Sequence, residues 1–207
     1  MTARNSSNDA FRGTARMLRR EGAVTAPGLL RADTSMLLVV DVQARLVPAI
    51  HDAAAVVERI VWLVRLAQAL GVPVAATEQY PQGLGPTVPA LAALLPRGAI
   101  GEKVHFSCAA AGCLPTLPGA GRPQVVLAGT EAHVCVLQTA FGLAAEGREV
   151  FVVADAVASR DPGSRTLALE RMARRGIGVV SREMVGFEWL ERAATERFRE
   201  ISREFLR

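Results

Sequence analysis

From residue 36 onward, short and continuously apolar runs alternate with longer stretches in which apolar residues return every three or four positions. The apolar runs are Met36 to Val40, Val72 to Ala76, Gln124 to Ala128, Glu149 to Val153 and Ile177 to Val180, with a weaker one around Ile100. They do not alternate with polar residues, which is the pattern of parallel strands covered by helices on both faces. Between the first two, Val56, Ile60, Leu63, Val64, Ala67 and Leu70 share one helical face, while Glu58, Arg65 and Gln68 fall elsewhere. Gly71 and Pro73 stop that helix. A second helix is predicted from Cys135 to Glu146, ending at Gly147. A third runs from Pro162 to Arg175, with Asp161 as N-cap and proline at the first helical position. The tail from Glu188 to Phe205 reads as a last helix anchored by Trp189, Leu190, Phe198, Ile201 and Phe205.

Strands and helices in alternation predict an α/β fold. The expected architecture is a single doubly wound, three-layer α/β/α domain over residues 35 to 207, Rossmann-like, around a mainly parallel sheet of about six strands. Residues 1 to 34 differ, with Arg12, Arg16, Arg19 and Arg20 followed by Pro27 and Gly28. They are expected to form an N-terminal extension, mobile or packed on the surface; Asp9 and Glu21 count against an organellar presequence.

Composition narrows the function classes. Half of the 207 residues are apolar, which suits one domain with a large core. The formal charge is +4 and the pI about 9.6, yet the arginines are interspersed with acids and form no block, so a solvated surface is expected rather than a nucleic-acid stripe. No apolar run approaches the length of about 20 residues that a membrane span needs. Three cysteines in apolar or helical settings form no disulfide framework. A soluble, cytoplasmic protein is the expectation.

In open parallel sheets, ligands bind outside the carboxyl ends of the strands. Behind the first strand stands Asp41-Val42-Gln43, behind the second a polar loop from Thr77 to Pro86 rich in Gly and Pro, and near residue 100 the run Gly101-Glu102-Lys103-Val104-His105-Phe106-Ser107. Lys103 is the only lysine in the chain. Behind the strand ending near Ala128, a tight turn leads to Cys135 at a predicted helix start, where aligned peptide dipoles favour thiolate over thiol. A base, a cation and a thiol at three strand ends suit nucleophilic attack on a carbonyl. Taken singly, Asp41 reads as an N-cap or a charge satisfied by backbone amides, and the alternative for Lys103 is chance replacement at an exposed site. His133 lies two residues before Cys135 and is expected to point elsewhere, as a turn or pocket residue.

Other chemistries lack their signatures. The turn after strand one has no glycines for a dinucleotide, and no Gly-x-Ser-x-Gly occurs. His105, Cys108 and Cys113 have neither the spacing nor the fourth ligand of a structural zinc site, so Cys108 and Cys113 are expected to act as small buried hydrophobes. No cofactor and no metal are expected.

Asp41-x-Gln43, Glu102-Lys103 ahead of Phe106-Ser107, and Gly129-x-Glu131-Ala132-x-x-Cys135-Val136 resemble the isochorismatase-like cysteine hydrolase superfamily. The run from Thr77 to Thr87 is similar to its subgroup of isochorismatase domain-containing proteins, and the resemblance covers about residues 35 to 200. It implies Asp41 as base, Lys103 as cationic partner and Cys135 as nucleophile. It also implies a cis peptide at Thr130-Glu131 that turns the amides of Glu131 and Cys135 into an oxyanion hole. Where the nicotinamidase branch carries an Asp-x-His metal motif, this chain has Glu78-Gln79-Tyr80. The resemblance thus implies a metal-independent hydrolase of a small amide or related carbonyl compound, working through a thioester on Cys135 and assembled as a homo-oligomer. Gln79, Tyr80 and Phe106 are the expected pocket walls. The alternative is a binding or scaffold protein that keeps the fold without turnover.

Overall fold

The computed structural model describes residues 28 to 206. Among them six strands form one sheet: β1 (Ser35–Val40), β2 (Val74–Gln79), β3 (Ile100–Lys103), β4 (Gln124–Gly129), β5 (Glu149–Val157) and β6 (Gly178–Val180). Every pairing is parallel and the order is β3-β2-β1-β4-β5-β6, so the chain winds outward from β1 in one direction and from β4 in the other. The doubly wound α/β architecture is as expected, with the sheet wholly parallel.

The two periodicities of the sequence account for the layers. All six residues of β1 are buried. Leu37 and Val39 project into one apolar cluster and Met36, Leu38 and Val40 into the other, because successive strand side chains leave opposite faces. The first face is covered by α1 (Ala53–Ala69), α7 (Arg182–Leu190) and α8 (Glu196–Phe205), the second by α5 (Leu137–Ala145) and α6 (Pro162–Ala173). Each fully buried aliphatic side chain contributes about 1.5–3 kcal/mol of transfer free energy. On α1, Val56, Ile60, Leu63, Val64 and Ala67 are buried as the spacing predicted, Leu66 joins them, and Leu70 is only partly buried at the end of the helix. Gly71 at φ 72° ends it, and the Val72 amide returns to the Ala67 carbonyl at 2.8 Å.

Several boundaries differ from the sequence reading, each for a local reason. Val72 is spent closing α1, so β2 begins at Val74 and runs on through Thr77, Glu78 and Gln79. Those polar residues stay in the strand because each side chain finds a buried partner. The loop beyond holds two one-turn helices, α2 (Pro81–Leu84) and α3 (Pro89–Ala92), each opened by a proline that needs no amide acceptor. Another, α4 (Cys108–Ala111), is capped by the Ser107 hydroxyl. The tail is two helices rather than one: Glu191 and Ala194 adopt φ 60° and 65°, and Thr195 caps a fresh start.

Residues 28 to 34 pack on the domain. Leu30 is buried, its amide donates to Glu188, and Gln124 accepts from the Arg31 amide at 2.9 Å. The expectation for residues 1 to 27 lies outside the described residues. No helix among the described residues is long and apolar enough to cross a membrane.

Candidate active site

The carboxyl ends of β1 and β4 flank the point where the strand order reverses, and in doubly wound sheets a crevice opens there. Asp41 is the first residue past β1. It is fully buried, and its backbone turns sharply at φ 53°, a left-handed conformation that aspartate tolerates better than most residues. Both backbone groups are tied down, the amide to the Thr77 carbonyl at 3.1 Å and the carbonyl to the Thr130 hydroxyl at 2.6 Å. The carboxylate accepts from Thr77 Oγ1 at 2.7 Å through Oδ1 and from Lys103 Nζ at 2.6 Å through Oδ2.

Lys103 is the last residue of β3 and reaches Asp41 across the end of β2. Its side chain is fully buried, and Nζ also donates to Gln79 Oε1 at 2.8 Å. Gln79 pairs with Lys103 in the β2–β3 register, so the two side chains share one face of the sheet. A second amide, Gln43, locks this strand end from below: its Oε1 accepts from the Gln79 amide at 2.8 Å, and its Nε2 donates to the carbonyls of Gln79 at 3.0 Å and Gly85 at 2.7 Å. Glu78 turns the other way and accepts from both the amide and the hydroxyl of Thr87.

Gly129 closes β4 at φ 142°, where an added Cβ would stand 2.2 Å from the Val40 carbonyl oxygen. Only glycine fits that approach. Glu131 follows in the left-handed region at φ 52°, and the chain then makes one wide turn over Ala132–Val136, with the Val136 amide on the Glu131 carbonyl, before α5 begins. Cys135 sits on this turn, buried, two residues ahead of α5.

The expected cis peptide is not found: the described residues contain no cis bond, and Thr130-Glu131 is trans. The left-handed backbone of Glu131 reverses the chain instead. The Glu131 amide donates to no acceptor among the described residues, which leaves it available at the turn.

The thiol also departs from expectation. Burial pushes Cys135 well above the ordinary thiol range and the negative charge of Asp41 pushes it further, while Lys103 opposes both. A helix start two residues away does not outweigh that desolvation. The net direction favours the protonated thiol, with Asp41 and Lys103 the charged groups that bear on it most.

Beside Cys135 lies a second polar cluster that the sequence did not announce. The buried Glu131 carboxylate pairs with Arg160 Nε at 2.7 Å through Oε1, and its Oε2, 3.3 Å from His133 Nδ1, makes no hydrogen bond among the described residues. His133 Nδ1 meets Ser159 Oγ at 3.0 Å, so the ring faces the end of β5, in keeping with a turn residue. Tyr80 and Phe106 are 55% and 51% exposed on the loops that follow β2 and β3. Gln79, expected only as a pocket wall, is instead part of the buried ion cluster. Cys108 is buried in the apolar core and Cys113 half-buried beside it, and both are free. No group of three or more His, Cys, Asp or Glu among the described residues is arranged to hold a metal ion.

The isochorismatase domain family model matches residues 35 to 184. Isochorismatase domain-containing protein 2 of Danio rerio is 38% identical over 181 residues, spanning 85% of this chain and 89% of that protein. The structure of MAR1 ribonuclease from Caenorhabditis elegans superposes with a TM-score of 0.77 at 32% identity, covering 87% of this chain and 93% of that one. The YcaC gene product of Escherichia coli, described as an octameric hydrolase of unknown specificity, gives 0.75 at 26% identity over 81% of this chain and 85% of its own.

Proposed function

Since the chain belongs to the isochorismatase family, we propose that it is a metal-independent cysteine hydrolase of a small molecule, opening an amide or related carbonyl compound through a thioester on Cys135. One observation carries this: Asp41 and Lys103 are buried as an ion pair at the sheet end where β4 leads into the turn that holds the buried Cys135.

Asp41 takes the thiol proton, so the carboxylate–ammonium pair becomes a thiolate–ammonium pair and the site keeps its net charge. That matters in a low-dielectric crevice, where separating charge is costly. The sulfur attacks the carbonyl carbon. The oxyanion that forms is held by the amides of Glu131 and Cys135, without the cis bond. Asp41 returns its proton to the leaving group, which departs as amine or alcohol. Water, giving a proton to Asp41, then attacks the thioester, and the acid product leaves as the thiol regains its proton. Tyr80 and Phe106 border the entrance. Homo-oligomerisation belongs to the same proposal, supported by the octameric state described for the E. coli relative and by the exposed Tyr80, Val104 and Phe106.

Turnover of a panel of small amides and esters by the wild type and by Cys135→Ala tests the proposal. The wild type should hydrolyse at least one compound and the variant none. An RNA oligonucleotide belongs in the panel because a structural neighbour is named a ribonuclease, and it should remain intact. Equal turnover by Cys135→Ala would overturn the assignment. A panel untouched by either protein would favour the scaffold alternative.

A further inference from the structure

We propose that a second crevice, at the carboxyl end of β5, binds an oxyanion, either inorganic phosphate or a small phosphomonoester. The cavity measures about 370 Å³ and is walled by Arg59, Arg165, Arg182, His51, Asp155 and Ser159 among others. Asp41, Lys103 and Cys135 do not line it. Ser159 is the shared boundary, since its hydroxyl touches His133 in the turn that carries Cys135.

Three half-buried guanidinium groups converge here, each held in place. Arg59 Nη1 donates to the Asp155 carbonyl at 3.4 Å. Arg165 donates through Nε to the Val157 carbonyl at 2.9 Å and through Nη2 to the Ala154 carbonyl. Arg182 has Nε 3.5 Å from Asp155 Oδ2 and lies over the Trp62 ring at 5.2 Å. A guanidinium carries five N–H donors, so these anchors leave several on each group uncommitted. Side chains already fixed lose little further entropy when they bind, and a planar fork matches phosphate oxygens in pairs.

The backbone adds to the same field. Helices α1, α6 and α7, of 17, 12 and 9 residues, all begin at this cavity, which is lined by Asp52, Pro162 and Arg182 at their starts. Each directs the positive end of its dipole there, although the Asp161 carboxylate caps α6 through the Ser164 amide and the Ser181 hydroxyl caps α7 through the Met184 amide. The N-cap of α1, Asp52, makes no side-chain cap bond, so the first-turn amides of that helix lack a side-chain acceptor. Two carboxylates oppose an anion. Asp155 is already engaged by the Arg182 amide at 2.8 Å and by its guanidinium, and Asp52 is exposed at the rim. Among the residues that line the cavity three arginines outnumber two aspartates, and the Asp161 carboxylate beside Pro162 is held by the Ser164 amide. Its volume lies near the lower end of the range of about 300–1,000 Å³ typical of small-molecule pockets.

Isothermal titration with inorganic phosphate and with methyl phosphate, at ionic strength held constant with chloride, tests the site. The wild type should bind one equivalent of at least one of them saturably, and the tighter of the two identifies the source. Arg59→Gln and Arg182→Gln should each weaken binding about tenfold or more, while Arg97→Gln, at an exposed position on a distant loop, should leave it unchanged. Arg59→Lys keeps the charge and the stem but loses the fork. It guards against misfolding of the glutamine variants and should still bind several-fold more weakly. No saturation beyond the chloride control, equal weakening in Arg97→Gln, or full affinity in Arg59→Lys would each overturn the proposal.

Discussion

Lys103 Nζ stands 2.6 Å from Asp41 Oδ2, and both side chains are fully enclosed. Removing one partner of such a pair strands a buried charge at a cost of about 3–5 kcal/mol, whereas removing both charges together is far less damaging. Lys103→Met should therefore lower the urea midpoint strongly. Adding Asp41→Asn should restore most of the loss, while turnover stays absent in single and double variants alike. A double variant no more stable than Lys103→Met would contradict the pairing.

Gln79 gives Lys103 its second acceptor, at 2.8 Å. Gln79→Leu keeps the volume and removes that anchor, so the ammonium can swing away from Asp41. Steady-state kinetics should show kcat reduced about 100-fold with KM nearly unchanged. A change confined to KM would make Gln79 a pocket wall and nothing more.

The Cys135 thiol is raised by burial and by Asp41, which fixes a pH dependence of stability. At neutral pH the thiol is protonated in both folded and unfolded chains and contributes no difference. Above the ordinary thiol value of about 8.5 the unfolded chain loses its proton while the folded chain holds it, so stability falls as pH rises. Cys108 is raised by its contact with Cys113 and by burial while Cys113 is lowered by the same contact, so those two thiols oppose one another and the slope is assigned to Cys135. Urea midpoints between pH 7.5 and about 10 should decline, and the decline should be shallower in Cys135→Ala. An unchanged slope would place the titration elsewhere. For the same reason, iodoacetamide should label Cys135 slowly at pH 7 in the free protein.

Gly129→Ala should be among the most damaging single changes in the sheet. The added methyl would lie 2.2 Å from the Val40 carbonyl oxygen at a backbone angle of φ 142°, so β1 and β4 would have to separate at the crevice. A loss of about 3 kcal/mol or more in chemical denaturation is expected. Near-wild-type stability would show that the two strands are not held so closely.

The layers were legible because β1 and β4 are apolar at every position after the first and α1 carries an uninterrupted stripe, signals that tertiary context reinforces. Asp41 and Cys135 stood out because each follows such a run, and Lys103 because it is the only lysine. The end of β2 was not legible: Thr77, Glu78 and Gln79 look like loop residues until their partners Asp41, Thr87 and Lys103 arrive from distant segments. The break at Glu191 was hidden because non-glycine residues rarely signal a left-handed turn. The helix start alone does not give the direction of the thiol shift, since burial is set by packing that no local pattern records. Arg160 and Ser159 could not be linked to Glu131 and His133, for they lie on the far side of β5 in the chain.

The central claim is that Cys135 becomes the attacking atom once Asp41 takes its proton. Intact-mass and peptide mass spectrometry of the protein quenched in acid during incubation with small amides and esters tests it directly. An acyl increment on the peptide bearing Cys135, absent from Cys135→Ala and released by hydroxylamine, is the predicted result. Turnover with no adduct on Cys135, or an adduct on Cys108 or Cys113 instead, would contradict it.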